Sequence, residues 1–145
     1  MKILIAIDGT ECSWRAIDHV VHRAWQSRDQ FKIITVIELP PAQLSADETL
    51  DDYNAHMVAA CTLITDKAKS KLKRKFPKNL ITSEISFGPA AEQIVLAAQE
   101  WSADLIIVGS HGHKDCRRFL EPSVADVVTR NAPCSIEVVK EKSGE

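Results

Sequence analysis

No apolar run in this sequence approaches the roughly 18 residues that a membrane-spanning helix requires, so no transmembrane segment and no membrane partner are expected. There is no surplus of positive charge: 18 Lys plus Arg stand against 20 Asp plus Glu, a formal net charge of -2. That balance argues against a protein built to neutralise phosphate backbones, and nucleic-acid binding is not expected. The four cysteines, Cys12, Cys61, Cys116 and Cys134, include no C-x-x-C pair. Met1-Lys2 leads directly into a short apolar run ending at Asp8, which resembles no leader peptide. Reduced thiols and a cytoplasmic location are the expectation. No G-x-S-x-G elbow occurs, and no nucleophile stands with an evident base and orienting acid, so a hydrolase is not expected.

What is present is a chain of 145 residues, 45% apolar and 26% charged, the ordinary composition of one globular domain over residues 1–145. A chain of this size buries roughly 70% of its unfolded surface and needs no metal or disulfide staple. Five apolar runs punctuate it: Ile3 to Ile7, Phe31 to Ile37, a weaker alternating Ile81 to Phe87, Leu105 to Val108, and Ser135 to Val139. Runs one and four are continuously apolar, as strands buried on both faces of a parallel sheet must be, and are expected at its centre.

Helix-period stretches separate the runs. The first carries Trp14, Ile17, Val20, Val21, Ala24 and Trp25, with Thr10 or Ser13 as its cap. The second places Leu50, Tyr53, Met57, Ala60, Ile64, Ala68 and Leu72 on one stripe. It opens on Asp47, Glu48, Asp51 and Asp52 and closes on Lys67, Lys69, Lys71, Lys73, Arg74, Lys75 and Lys78. Acid first and base last is the order that the helix dipole favours, so the basic end reads as a solvated helix terminus. The third helix follows Gly88-Pro89, and the fourth begins near Pro122. Strand and helix in alternation predict an α/β fold, a single doubly wound open sheet of five parallel strands with helices on both faces.

Ligands of such sheets bind at the carboxyl ends of the strands. Run one ends in Asp8-Gly9-Thr10 and run four in Gly109-Ser110-His111-Gly112, followed by a helix start at Pro122-Ser123. Two closely spaced glycines before a helix N-terminus suit an anion held by backbone N–H groups, although the spacing alone is common in turns. His111, His113, Asp115 and Cys116 are zinc-ligand types at no standard spacing, and no metal site is assigned. His19 and His22 read as a polar helix face, and the three tryptophans as core packing.

The run Val108-Gly109-Ser110-His111-Gly112, then nine residues, then Pro122-Ser123-Val124 resembles the G-x-x-G-(nine)-G-[S/T] signature of the universal stress protein family. The resemblance extends to Ile3 through Gly9, to Gly88-Pro89, to Ala103 through Gly109 and to Ala132-Pro133-Cys134-Ser135. It implies a sheet in the order 3-2-1-4-5 and a homodimer paired through the last strand, near Ile136 to Val139. In nucleotide-binding members the first and second strand ends hold adenine and ribose, which carries over to Ala6, Asp8 and Val36 or Ile37. The glycine loop and the following serine hold phosphates, which carries over to Val108, Gly109, His111, Gly112, Pro122, Ser123 and Val124. The implied ligand is ATP or AMP, with Mg²⁺ accompanying ATP.

One position departs from the signature: its third glycine is Pro122 here, preceded by Glu121. Proline brings no N–H, and losing a hydrogen bond to a charged acceptor costs roughly 1.5 to 3 kcal/mol, or about 10 to 150-fold in affinity. Glu121 either occupies the phosphate position or points to solvent, where proline in a first helical turn is ordinary. Two functions follow. One is a stress-response, adenine-nucleotide-binding dimeric sensor with weakened ATP binding, which signals to a protein partner. The other is a dimeric interaction protein of the same family that binds no nucleotide. Slow ATP hydrolysis is a third reading, for which the sequence supplies no base.

Overall fold

The computed structural model describes residues 1–38, 49–109 and 124–140. Nine elements alternate along them: β1 (Lys2–Ala6), α1 (Glu11–Val21), β2 (Gln30–Ile37), α2 (Leu50–Lys75), β3 (Ile81–Phe87), α3 (Ala90–Trp101), β4 (Leu105–Gly109), α4 (Val124–Asn131) and β5 (Ser135–Val139). The strands form one sheet in the order β3-β2-β1-β4-β5, every neighbouring pair parallel. β1 is central, with Ile5 registered against Ile33 of β2 on one side and Ile107 of β4 on the other. The continuous apolar character of β1 and β4 follows from this placement, because both faces of each are covered.

Side chains alternating along the strands sort into two cores. Ile3, Ile5, Phe31, Ile33, Leu105 and Ile107 face α1 and α2, meeting Ala16, Ile17, Val20, Ala68 and Leu72. Leu4, Ile34, Ile106 and Val108 face α3 and α4, meeting Ile94, Ala97, Ala98, Ala125 and Val128. Phe31 anchors the first core, with Trp25 edge-on at 5.4 Å and Phe76 stacked at 5.6 Å between ring centroids.

Thr10, not Ser13, caps α1: its backbone is extended and its side chain accepts from the Ser13 N–H. The helix ends at Val21, before Ala24 and Trp25. Trp25 reaches the core from beyond the helix, its indole N–H donating to the Val20 carbonyl at 2.9 Å. Trp14 is only half-buried, with the ammonium groups of Lys67 and Lys71 each 5.1 Å from its ring. α2 opens on a capping box: the Thr49 hydroxyl accepts from the Asp52 N–H at 3.0 Å, and the Asp52 carboxylate accepts from the Thr49 N–H at 3.4 Å. Its first turn carries Asp51 and Asp52, its last Lys73, Arg74 and Lys75.

The expectation of four reduced thiols is corrected: Cys61 and Cys134 are thiols, but Cys12 is disulfide-bonded, which takes a second cysteine with it. Cysteine spacing along a chain says little about which thiols the fold brings together, so the sequence pattern could not reveal this one. Burial raises the Cys134 pKa, with the nearby Asp104 charge adding to it, so this thiol packs as a small apolar group.

Candidate functional site

β1 and β4 lie side by side, but their exits diverge: the chain leaving β1 enters α1 on one face, and α4, the helix after β4, packs on the other. The divergence opens a cleft at the carboxyl ends of the central strands, the reversal point of strand order where doubly wound sheets bind ligands. The cleft measures about 630 Å³ with its solvent-open mouth included. Its apolar walls include Ala6, Ile34, Val36, Ile94 and Val108, and its polar groups include Asp8, Thr10, Ser13 and Glu38.

A short hydrogen-bonded turn fixes the β1 side. The Asp8 carboxylate accepts from the Thr10 N–H at 2.9 Å and from the Thr10 hydroxyl at 2.6 Å. The Ser13 hydroxyl donates to the Thr10 carbonyl at 2.9 Å and accepts from the Gly9 N–H at 3.1 Å. Gly9 carries a φ of +85°, a left-handed conformation that lets the chain turn from strand to helix within a few residues. Asp8 is thereby held at the cleft before any ligand arrives.

On the β4 side Gly109 has a different reason to be glycine. A Cβ built there would collide with the Cys12 carbonyl oxygen and stand 2.6 Å from its carbon, so the strand end touches the backbone of the first turn of α1. The opposite wall is α3, whose first N–H, on Ala90, donates to the Glu38 carboxylate at 3.2 Å. The positive end of that helix is already matched by an internal anion. The first turn of α4 borders the cleft at Val124 and Ala125.

Of the residues that the sequence pointed to, Ala6, Asp8, Val36, Val108, Gly109 and Val124 line this one cleft. Ile37 does not: strand alternation sends Ile34, Val36 and Glu38 toward the cleft, while Ile37 is 1% exposed and its carbonyl accepts from the Gly88 N–H at 2.9 Å. His111, Gly112, Pro122 and Ser123 lie outside the described residues, as does Glu121. Sequence reasoning missed Glu38, Thr10 and Ser13 as cleft groups. The signal for Glu38 was its place as the first polar residue after the β2 run, at a strand carboxyl end.

A sequence model of the universal stress protein family matches residues 1–140. The chain belongs to the universal stress protein family. Among its relatives is Universal stress protein MJ0531 of Methanocaldococcus jannaschii, 30% identical over 145 residues, covering 99% of this chain and 84% of that one. Solved structures that share the fold include the following three. The hypothetical protein MJ0577 superposes with a TM-score of 0.81 at 24% identity, covering 99% of this chain and 97% of that one. A universal stress protein in complex with cAMP gives 0.72 at 22% identity, covering 98% of each chain. A family protein of Arabidopsis thaliana with AMP bound gives 0.69 at 16% identity, covering 99% of this chain and 93% of that one.

Proposed function

We propose that this universal stress protein binds an adenine nucleotide in the cleft between β1 and β4 and works as a dimeric regulatory sensor rather than a catalyst. The observation that carries the reading is the cleft itself, at the reversal point of the sheet, with a preset carboxylate on one side and a glycine-tight strand end on the other. Two structural neighbours that hold AMP and cAMP support adenine as the base.

The cleft is polarised. Asp8 and Glu38 place negative charge on the β1 and β2 side, while Gly109 and the first turn of α4 form the other side. Carboxylates repel phosphates and accept from hydroxyl and amine groups, so the nucleoside belongs beside Asp8 and Val36, against Ala6 and Val108. The phosphate belongs beside Gly109 and Val124, continuing to His111, Gly112, Pro122 and Ser123 of the signature. With proline in the place of the third glycine, a single phosphate is easier to satisfy than three, which favours AMP over ATP with Mg²⁺. The dimer forms through β5, near Ile136 to Val139, and residues 1–145 act as one domain in the cytoplasm.

Calorimetric titration with AMP and ATP, each with and without Mg²⁺, tests this. Saturable binding of AMP, with a dissociation constant that rises about tenfold or more in Asp8→Ala, is the expected result. Absence of heat up to millimolar ligand would overturn it and leave the dimeric interaction protein, the reading that Glu121-Pro122 favours.

A further inference from the structure

The outer face of α2 is self-complementary. Leu63 is the most exposed large apolar side chain among the described residues, at 73%, and it stands at the middle of the 26-residue helix Leu50–Lys75. Four residues to either side of it are Ala59 and Lys67, seven to either side His56 and Ser70, and eleven to either side Asp52 and Arg74. At about 100° per residue these positions fall within roughly 40° of Leu63, one stripe along the helix. All seven side chains are exposed.

We infer that this stripe is a contact between two copies of the chain, with the two α2 helices antiparallel across a two-fold axis at Leu63. Such an axis sets each residue against its counterpart at equal distance on the other side of Leu63. Asp52 then faces Arg74 of the second copy, and the pair occurs twice. His56 meets Ser70, Ala59 meets the stem of Lys67, and Leu63 meets its own copy. The small residue at 59 permits the approach of about 8 to 10 Å between axes that packed helices adopt. The antiparallel arrangement also sets the acidic first turn of each helix against the basic last turn of the other, Asp51 and Asp52 against Lys73, Arg74 and Lys75. A parallel pairing would set like charges side by side, so the charge order selects the direction. Acid-first and base-last order serves the dipole of one helix, but the dipole does not explain an exposed leucine at the centre of symmetry.

The contact uses no residue of β5 and does not depend on nucleotide. Charge reversal tests it in the full chain. Asp52→Lys and Arg74→Glu each place like charges at both ends of the symmetric contact, whereas one copy of each variant restores two opposite-charge pairs. By sedimentation velocity at low ionic strength, each variant alone is expected to self-associate at least about fivefold more weakly through this contact. An equimolar mixture is expected to regain the association of the unmodified chain. Raising salt to about 0.5 M, where the Debye length is under about 5 Å, is expected to weaken the unmodified contact. Asp52→Lys also disturbs the α2 capping box, so Leu63→Glu, on an exposed side chain with no core role, is the second variant and is expected to abolish the contact. Self-association that is unchanged in Arg74→Glu and in Leu63→Glu, or a mixture no more associated than its parts, would overturn the inference.

Discussion

Gly109→Ala isolates the close approach on which the cleft is built. The added methyl would stand 2.6 Å from the Cys12 carbonyl carbon and 3.2 Å from its Cβ, against the roughly 3.5 to 4.0 Å of a comfortable carbon contact. Relief requires a separation of about 1 Å between β4 and α1. Neither side yields easily, because the obstructing atoms are backbone and α1 is pinned by Ala16, Ile17 and Val20, each 0% exposed. Overpacking of this kind costs roughly 1 to 3 kcal/mol. For a chain near 150 residues each kcal/mol lowers the melting temperature by about 2 to 4 °C, so a fall of about 2 to 12 °C is expected. Differential scanning calorimetry of the two proteins at neutral pH measures it. A melting temperature within about 1 °C of the unmodified protein would refute the claim that backbone contact, rather than chance, selects glycine at this strand end.

Thr35 is 2% exposed and its hydroxyl finds no hydrogen-bond partner among the described residues, so Thr35→Val is expected to raise stability by about 1 kcal/mol in urea unfolding; a loss of stability would reveal a partner. Burial pushes the Glu137 carboxyl up, but hydrogen bonds from Arg23 and His19, with their charges, outweigh it and hold its pKa below the ordinary value. A lowered folded-state pKa means that the stabilisation is present above the unfolded pKa of about 4.3 and is lost as pH falls through the folded value. Glu137→Gln should therefore cost about 0.5 kcal/mol near neutral pH, a surface-pair magnitude, and nothing in acid; an equal cost at both pH values would contradict the ion pair. Phe31→Ala, at a 0% exposed ring between Trp25 and Phe76, should cost about 3 to 5 kcal/mol by chemical unfolding, and a loss under 1 kcal/mol would mean that the cluster collapses onto the space.

The resemblance of the run after Val108 to a family signature, with matching stretches along the chain, pointed to the family, and the continuous apolar character of β1 and β4 announced two strands covered on both sides. The site was partly legible in the same way: strand ends are marked by abrupt change, Ile7 to Asp8 and Val108 to Gly109. The choice between Val36 and Ile37 was not, because parity relative to a cleft exists only once the sheet has faces. Glu38 as the anion at the start of α3 joins residues far apart in the chain, and the reach of Trp25 past the end of α1 depends on the Phe31 cluster that receives it.

The sequence by itself determined the periodicities, the order of elements and the charge gradient of α2, since these depend on neighbours within a few residues. Only the tertiary structure decided which carboxylates share a cleft, why residue 109 has no room for a side chain, and which stripe of α2 stays exposed. Those properties arise from backbones and faces brought together across the chain, and no local pattern encodes the distance between them.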